Sequence, residues 1–160
     1  MILLPPDLRA ALHANARATA ADPRLDPKPL VKFFNPLGAA TWLASELDTD
    51  GDTLFGLADL GFGCPELGSF SLAEIASVKL PYGLAIERDI AFATRFGLSV
   101  WADWSRRAGS ILWAETLLRR VEMSVPPSRS TSQDRSCVSP PTRSKTRSMS
   151  WSRSSKRSER

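Results

Sequence analysis

Histidine occurs once in the 160 residues, as His13, and cysteine twice, as Cys64 and Cys137. That scarcity removes most nucleophile–base arrangements. Cys64 precedes Pro65, and His13 is the only imidazole available to activate it, whereas such catalysis needs a positioned base. No close pair of Cys or His provides zinc-ligand spacing. The two thiols lie in unrelated regions, make no disulfide framework, and read as free thiols in a reducing compartment. No Gly-x-Ser-x-Gly elbow occurs. Gly61-Phe62-Gly63 is not followed by the Lys-Ser/Thr of a phosphate loop and reads as a flexible turn. No segment approaches the apolar length of a membrane span. The opening MILLPPDLRAAL has neither the basic start nor the long apolar stretch of a signal peptide. These shortages lead to the expectation of a cytoplasmic protein with no cofactor, no metal and no membrane association.

Positive charge is also scarce over most of the chain. Residues 1–123 hold 12 Lys and Arg against 15 Asp and Glu, a net of −3; residues 124–160 hold 9 against 2, a net of +7. The overall basic balance therefore belongs to a Ser/Arg/Pro-rich end, and the body is mildly acidic. The expected organisation is one domain over 1–121 and a disordered basic tail over 122–160. The tail has the composition either of an evolved basic segment or of a GC-rich gene translated out of frame. A body of this size buries roughly two-thirds of its unfolded surface, enough for one core without staples.

Within the body, Pro5, Pro6 and Asp7 suit the first turn of a helix, and Leu4, Leu8, Ala11 and Leu12 recur at helical spacing through about Ala20. DPRLDPKP (22–29) is a connector no helix crosses. LVKFF (30–34) reads as a strand. ATWLASEL (40–47) and TLFGLADL (53–60) flank DTDGD and read as a hairpin. ELGSFSL (66–72) is a shorter strand entering a helix, whose start is marked by a Ser71/Glu74 capping box and a Phe70/Ile75 staple. LAIERDIAF (84–92) alternates as a strand. Ser99 then suits the cap of a final helix carrying Trp101, Trp104, Ala108, Ile111 and Leu112 on one stripe, ending between Ala108 and Arg120 because Gly109 weakens it. The predicted fold is α+β: a mostly antiparallel sheet of four to five strands with helices packed at one face.

The runs VKFFNP, ATWLASELD, LFGLADLGFGCPELGSFSLAEI and AIERDIAF resemble a bacterial domain-of-unknown-function family of small proteins common on plasmids and integrative elements. The pattern is carried by Phe33, Trp42, Glu46, Asp48, Phe55, Gly56, Glu66, Gly68, Ser71, Leu72, Glu74, Glu87, Arg88, Asp89 and Phe92, and the resemblance covers roughly residues 1–111. It implies no activity. It does imply an accessory role on a mobile genetic element.

Several constellations invite a functional reading. Asp48, Asp50, Asp52 and Asp59 fall at positions 1, 3, 5 and 12 of a calcium-loop register. Thr53 stands where that loop needs Gly, Asp59 replaces the bidentate Glu, and strands flank it, so a solvated hairpin loop is favoured. Alternation on 84–92 puts Arg88 on the face of Leu84, Ile86, Ile90 and Phe92, where a guanidinium needs a partner. Glu46 and Glu66 are the best candidates for a geometry-fixing ion pair. The functional alternative is a small pocket in which Arg88 holds an anion. The aromatic set Phe33, Phe34, Trp42, Phe55, Phe62 and Phe70 suits core packing better than base stacking, because few basic residues accompany it.

The leading functional expectation is a non-enzymatic accessory protein. It binds an unknown, basic protein partner through the acidic edge around Glu46–Asp59 and the 61–68 turn, with Trp42, Glu46, Asp59, Glu66 and Arg88 as binding residues. One alternative is nonspecific nucleic-acid binding by the tail through Arg143, Lys145, Arg147, Arg153, Lys156 and Arg157. A second is an enzyme whose carboxylates Glu46, Asp59, Glu66 and Glu87 surround Arg88.

Overall fold

Pro5 and Pro6 open a first helix, α1 (Pro6–Ala21), as their fixed φ and missing N–H allow at a helix start. Five strands follow: β1 (Val31–Phe34), β2 (Thr41–Leu47), β3 (Thr53–Asp59), β4 (Glu66–Ser71) and the two-residue β5 (Glu87–Arg88). Helix α2 (Leu72–Ser77) lies between β4 and β5, and α3 (Leu98–Ala108) and α4 (Ile111–Ser124) close the fold. The computed structural model describes residues 2–124; the first three residues of the expected tail, 122–124, belong to α4, and the rest of it, with Arg143, Lys145, Arg147, Arg153, Lys156 and Arg157, lies outside the described residues. No described helix is long and apolar enough to cross a membrane.

All strand pairs are antiparallel, in the order β4-β3-β2-β1-β5. One cross-strand row runs Arg88, Phe33, Trp42, Ala58, Glu66 from edge to edge. Val31, Phe33, Trp42, Ala44, Leu47 and Leu54 pack with Leu12 of α1 and with Leu72 and Ile75 of α2. Leu43 and Leu57, facing the other way, pack with Leu98, Trp101 and Ala102 of α3 and with Ile111 and Leu118 of α4. The fold is thus α+β, as predicted, but helices cover both faces of the sheet and not one. The cause is visible in β2, where every residue except Glu46 is buried: a strand apolar on both sides demands cover on both sides.

Local chemistry explains the remaining departures. The strand expected over 84–92 joins the sheet only at Glu87 and Arg88, opposite Phe34 and Phe33, while Ala85 makes an isolated bridge with Lys79. Beyond it, the Ala91 N–H donates to Asp89 Oδ1 at 3.0 Å, an Asx turn that bends the chain off the sheet and leaves Ile90 79% exposed. Ser99 does not cap α3. Gly97 takes that place, and Asp26 reaches in from the connector to accept the Ser99 N–H at 2.9 Å and its hydroxyl at 2.6 Å. The single final helix is two. Gly109 adopts φ +68°, which ends α3, and α4 starts at Ile111, leaving Leu112 largely outside the apolar stripe. The start of α2 matches expectation: Ser71 Oγ accepts the Glu74 N–H at 3.0 Å, while Phe70 and Ile75 join one apolar cluster. Asp52 reinforces it by accepting the Ser71 hydroxyl at 2.6 Å and the Ala73 N–H at 2.7 Å.

β2 carries a bulge between Ala44 and Glu46, opposite Gly56 and Phe55 of β3. A Cβ on Gly56 would collide with the Leu43 carbonyl oxygen, which is backbone and cannot swing away. Gly56→Ala is therefore expected to destabilise the protein by about 3 kcal/mol, the range of an overpacked core, measured as a lower urea midpoint at unchanged slope.

Candidate functional site

A cavity that brings charged and apolar groups together opens beside β1 and β5. It has a volume of about 450 Å³ and is lined by Lys32, Phe34, Arg88, Asp89, Ile90 and Leu112, with the turn after β1 closing one side. Lys32 stands in the middle of β1 and is only 7% exposed. Its ammonium donates to Glu115 Oε2 of α4 at 2.6 Å and to Asp89 Oδ2 at 3.3 Å, and Arg119 Nη2 donates to Glu115 Oε1 at 2.7 Å. A buried charge is tolerable only when paired and hydrogen-bonded, and this network supplies both. Arg88 has no such partner: its Nε is buried without a hydrogen bond among the described residues, and none of their ion pairs includes it.

The residues expected to share a site fall in different places. Arg88 and Glu66 end opposite edges of the cross-strand row, four strand spacings or roughly 19 Å apart, so Glu66 cannot be its partner. Glu46 lies beside the β2 bulge, opposite Phe55, and lines a shallow recess with Asp48 and Ser69. Glu87 lines a separate cavity with Leu3, Leu4 and Leu72. Trp42 is buried between Phe33 and Ala58 in the sheet. Asp59 is 1% exposed. Its Oδ1 accepts the Gly61 N–H at 2.8 Å and its Oδ2 the Ile111 N–H at 3.0 Å, so it clamps the start of α4 to the end of β3. The carboxylate set around Arg88 is not assembled.

The aspartate-rich loop is likewise occupied with its own backbone. Asp48 accepts the Thr49 N–H, and Asp50 Oδ1 accepts the N–H groups of Asp52 and Thr53. Asp52 serves α2 as described above. Among the described residues, no group of three or more His, Cys, Asp or Glu is placed to hold a metal ion. The Thr53 hydroxyl, donating at 2.6 Å, and then the two amides hold the Asp50 carboxyl below the usual carboxylate range. His13 Nδ1 lies 3.0 Å from the Leu47 carbonyl, which can only accept, so this nitrogen donates; Cys64 is exposed in the β3–β4 loop.

Not all the aromatics are core. Phe33 and Trp42 are buried, but Phe55 is partly exposed and Phe62 is 84% exposed. With Leu60 and Leu67, also exposed, they place apolar surface at the β3–β4 end of the sheet. The 61–68 turn is expected to meet a partner, but Phe55 and Phe62 read as core in the sequence, because a loop tip and a strand face carry no pattern that distinguishes such residues from core ones. The buried Lys32 was also missed; its signal was a single cation inside the apolar run VKFF.

An antiparallel sheet held between two pairs of helices, with a cavity at its edge, defines a small α+β domain. Residues 3–112 match the family described as "Protein of unknown function (DUF2958)", and the chain belongs to that family. No curated protein and no solved structure matches the chain. Ala114, Glu115 and Leu118 of α4 are buried in the fold although they lie past the matched residues.

Removing one member of the buried network leaves its partner uncompensated. Lys32→Met is expected to cost about 3 kcal/mol in urea unfolding, and the double variant Lys32→Met/Glu115→Leu to cost less than the sum of the two single changes. At Asp50 the depressed carboxyl stabilises the fold above the ordinary Asp range. That contribution is lost as pH falls through the lowered value. Asp50→Asn is expected to flatten the stability profile in the acid range alone, as followed by thermal melts between neutral and strongly acidic pH.

Proposed function

We propose that this domain acts as a non-enzymatic accessory protein that binds a basic protein partner through the β3–β4 end of its sheet. The observation that carries the reading is the exposed apolar group Leu60, Phe62 and Leu67 beside the exposed carboxylate Glu66. Aromatic anchors bordered by charge suit protein recognition, and a body of net −3 suits a basic partner. β4 is also an outer strand, so its free backbone edge is available to an added strand. The acidic edge is narrower than its sequence suggests. Asp59, Asp52 and Asp50 serve caps and turns, and Glu46 and Asp48 lie towards the β2–β3 hairpin, which leaves Glu66 as the carboxylate at this end to meet a partner. Trp42 supports this surface from inside the sheet, and Arg88 lies at the far edge. A role on a mobile genetic element rests on the family resemblance.

The test is a capture experiment from the bacterial host, using the full chain beside Phe62→Asp and Glu66→Lys. The expected outcome is a basic protein held by the parent chain and at least about tenfold less by each variant, since a central aromatic carries about 1.4 kcal/mol or more. Equal capture by all three would overturn the proposal. A second reading is favoured by the +7 charge of residues 124–160: tail binding to nucleic acid. Deleting residues 125–160 is expected to abolish salt-sensitive DNA binding; binding that persists would place it on the body.

A further inference from the structure

We propose that the cavity at the β1–β5 edge binds a small organic carboxylate with an apolar body, anchored by Arg88. Lys32 is not the anchor, because its ammonium already meets Glu115 and Asp89. Glu115 in turn meets Arg119. The two cations and two acids of that network cancel, so Arg88 is the uncompensated charge in the lining. Its Nε is buried and unpartnered among the described residues. That nitrogen is closed to solvent, so the cavity meets Arg88 through its Nη groups, which have no hydrogen-bond partner among the described residues. The two Nη groups present parallel N–H bonds at the end of the guanidinium and match the two oxygens of a carboxylate.

The walls define the rest of the ligand. Phe34, Pro36, Ile90 and Leu112 are apolar. Asn35 Oδ1 is taken by the Leu37 N–H at 2.8 Å, which leaves its Nδ2 as one further donor. A volume of about 450 Å³ fits a small molecule and is ample for an aromatic or short aliphatic acid. A phosphate dianion fits poorly. Among the described residues it would face a single free cation, with Asp89 in the same lining repelling the second negative charge.

The experiment is an amide-resolved NMR titration of the full chain with benzoate, hexanoate and inorganic phosphate. Saturable shifts with the two carboxylates are expected at Asn35–Gly38 and Asp89–Ile90, with phosphate weaker. Arg88→Gln is expected to weaken benzoate at least about tenfold, and Arg88→Lys, which keeps charge but loses the fork, to fall between. Ile90→Trp provides a variant in an exposed turn that leaves the core untouched and is expected to obstruct the cavity with a comparable loss. Should Arg88→Gln fail to fold, that variant decides the question. The proposal is overturned if neither carboxylate saturates, if phosphate binds as tightly as benzoate, or if Ile90→Trp binds like the parent chain. Loss of protein capture by Phe62→Asp would leave these outcomes unchanged, because the two surfaces lie at opposite edges of the sheet.

Discussion

Everything in this fold follows from strands that are apolar on both sides. β2 cannot be left with one face in water, and neither can the centre of β3. Burying two sheet faces requires two layers of helix. α1 and α2 supply one, and α3 and α4 supply the other. The second layer is held at defined points by carboxylates that reach far along the chain: Asp26 to Ser99 at the start of α3, and Asp59 to Ile111 at the start of α4. In each case an acid satisfies amides that a helix start leaves open, and its charge suits the positive end of the helix dipole.

The same two-sided burial creates the charged problem at β1. A lysine in the middle of that strand must go under the second layer, and a carboxylate from α4 comes to meet it. The edge beyond it is incomplete, because β5 contributes only two residues before Asp89 turns the chain away. An interrupted edge strand leaves room for a cavity, and the guanidinium beside it lacks the partner that the lysine has. The cavity and the unpartnered guanidinium thus lie beside one short strand, while the opposite edge, β4, is longer and presents apolar tips and free backbone.

Much of the architecture was legible where the signal is local. The β2–β3 hairpin announced itself by two apolar runs around DTDGD, and the start of α2 by Ser71 and Glu74 three residues apart. What escaped depended on distance along the chain. Ser99 looked like a cap because serine suits that role, but Gly97 stands at the cap and the carboxylate that meets the helix start comes from Asp26, 73 residues before Ser99, and no local pattern encodes that partnership. Gly109 was legible as a weakness, yet whether it bends, frays or divides a helix is decided by the tertiary contacts of α4. Arg88 was rightly marked as a cation in need of company. The expected partners failed because strand order, which local periodicity does not specify, puts Glu66 on the other side of the sheet.

Glu115 sits past the residues that match the family, yet it balances an ammonium inside the core strand β1. A relative trimmed after the first turn of α4 would strand that nitrogen with one more distant acid. Evolution then has few remedies: an uncharged side chain at position 32, or a substitute oxygen donated by some other segment. The identity of one residue in the sheet is in this way hostage to how far the chain continues beyond its common frame.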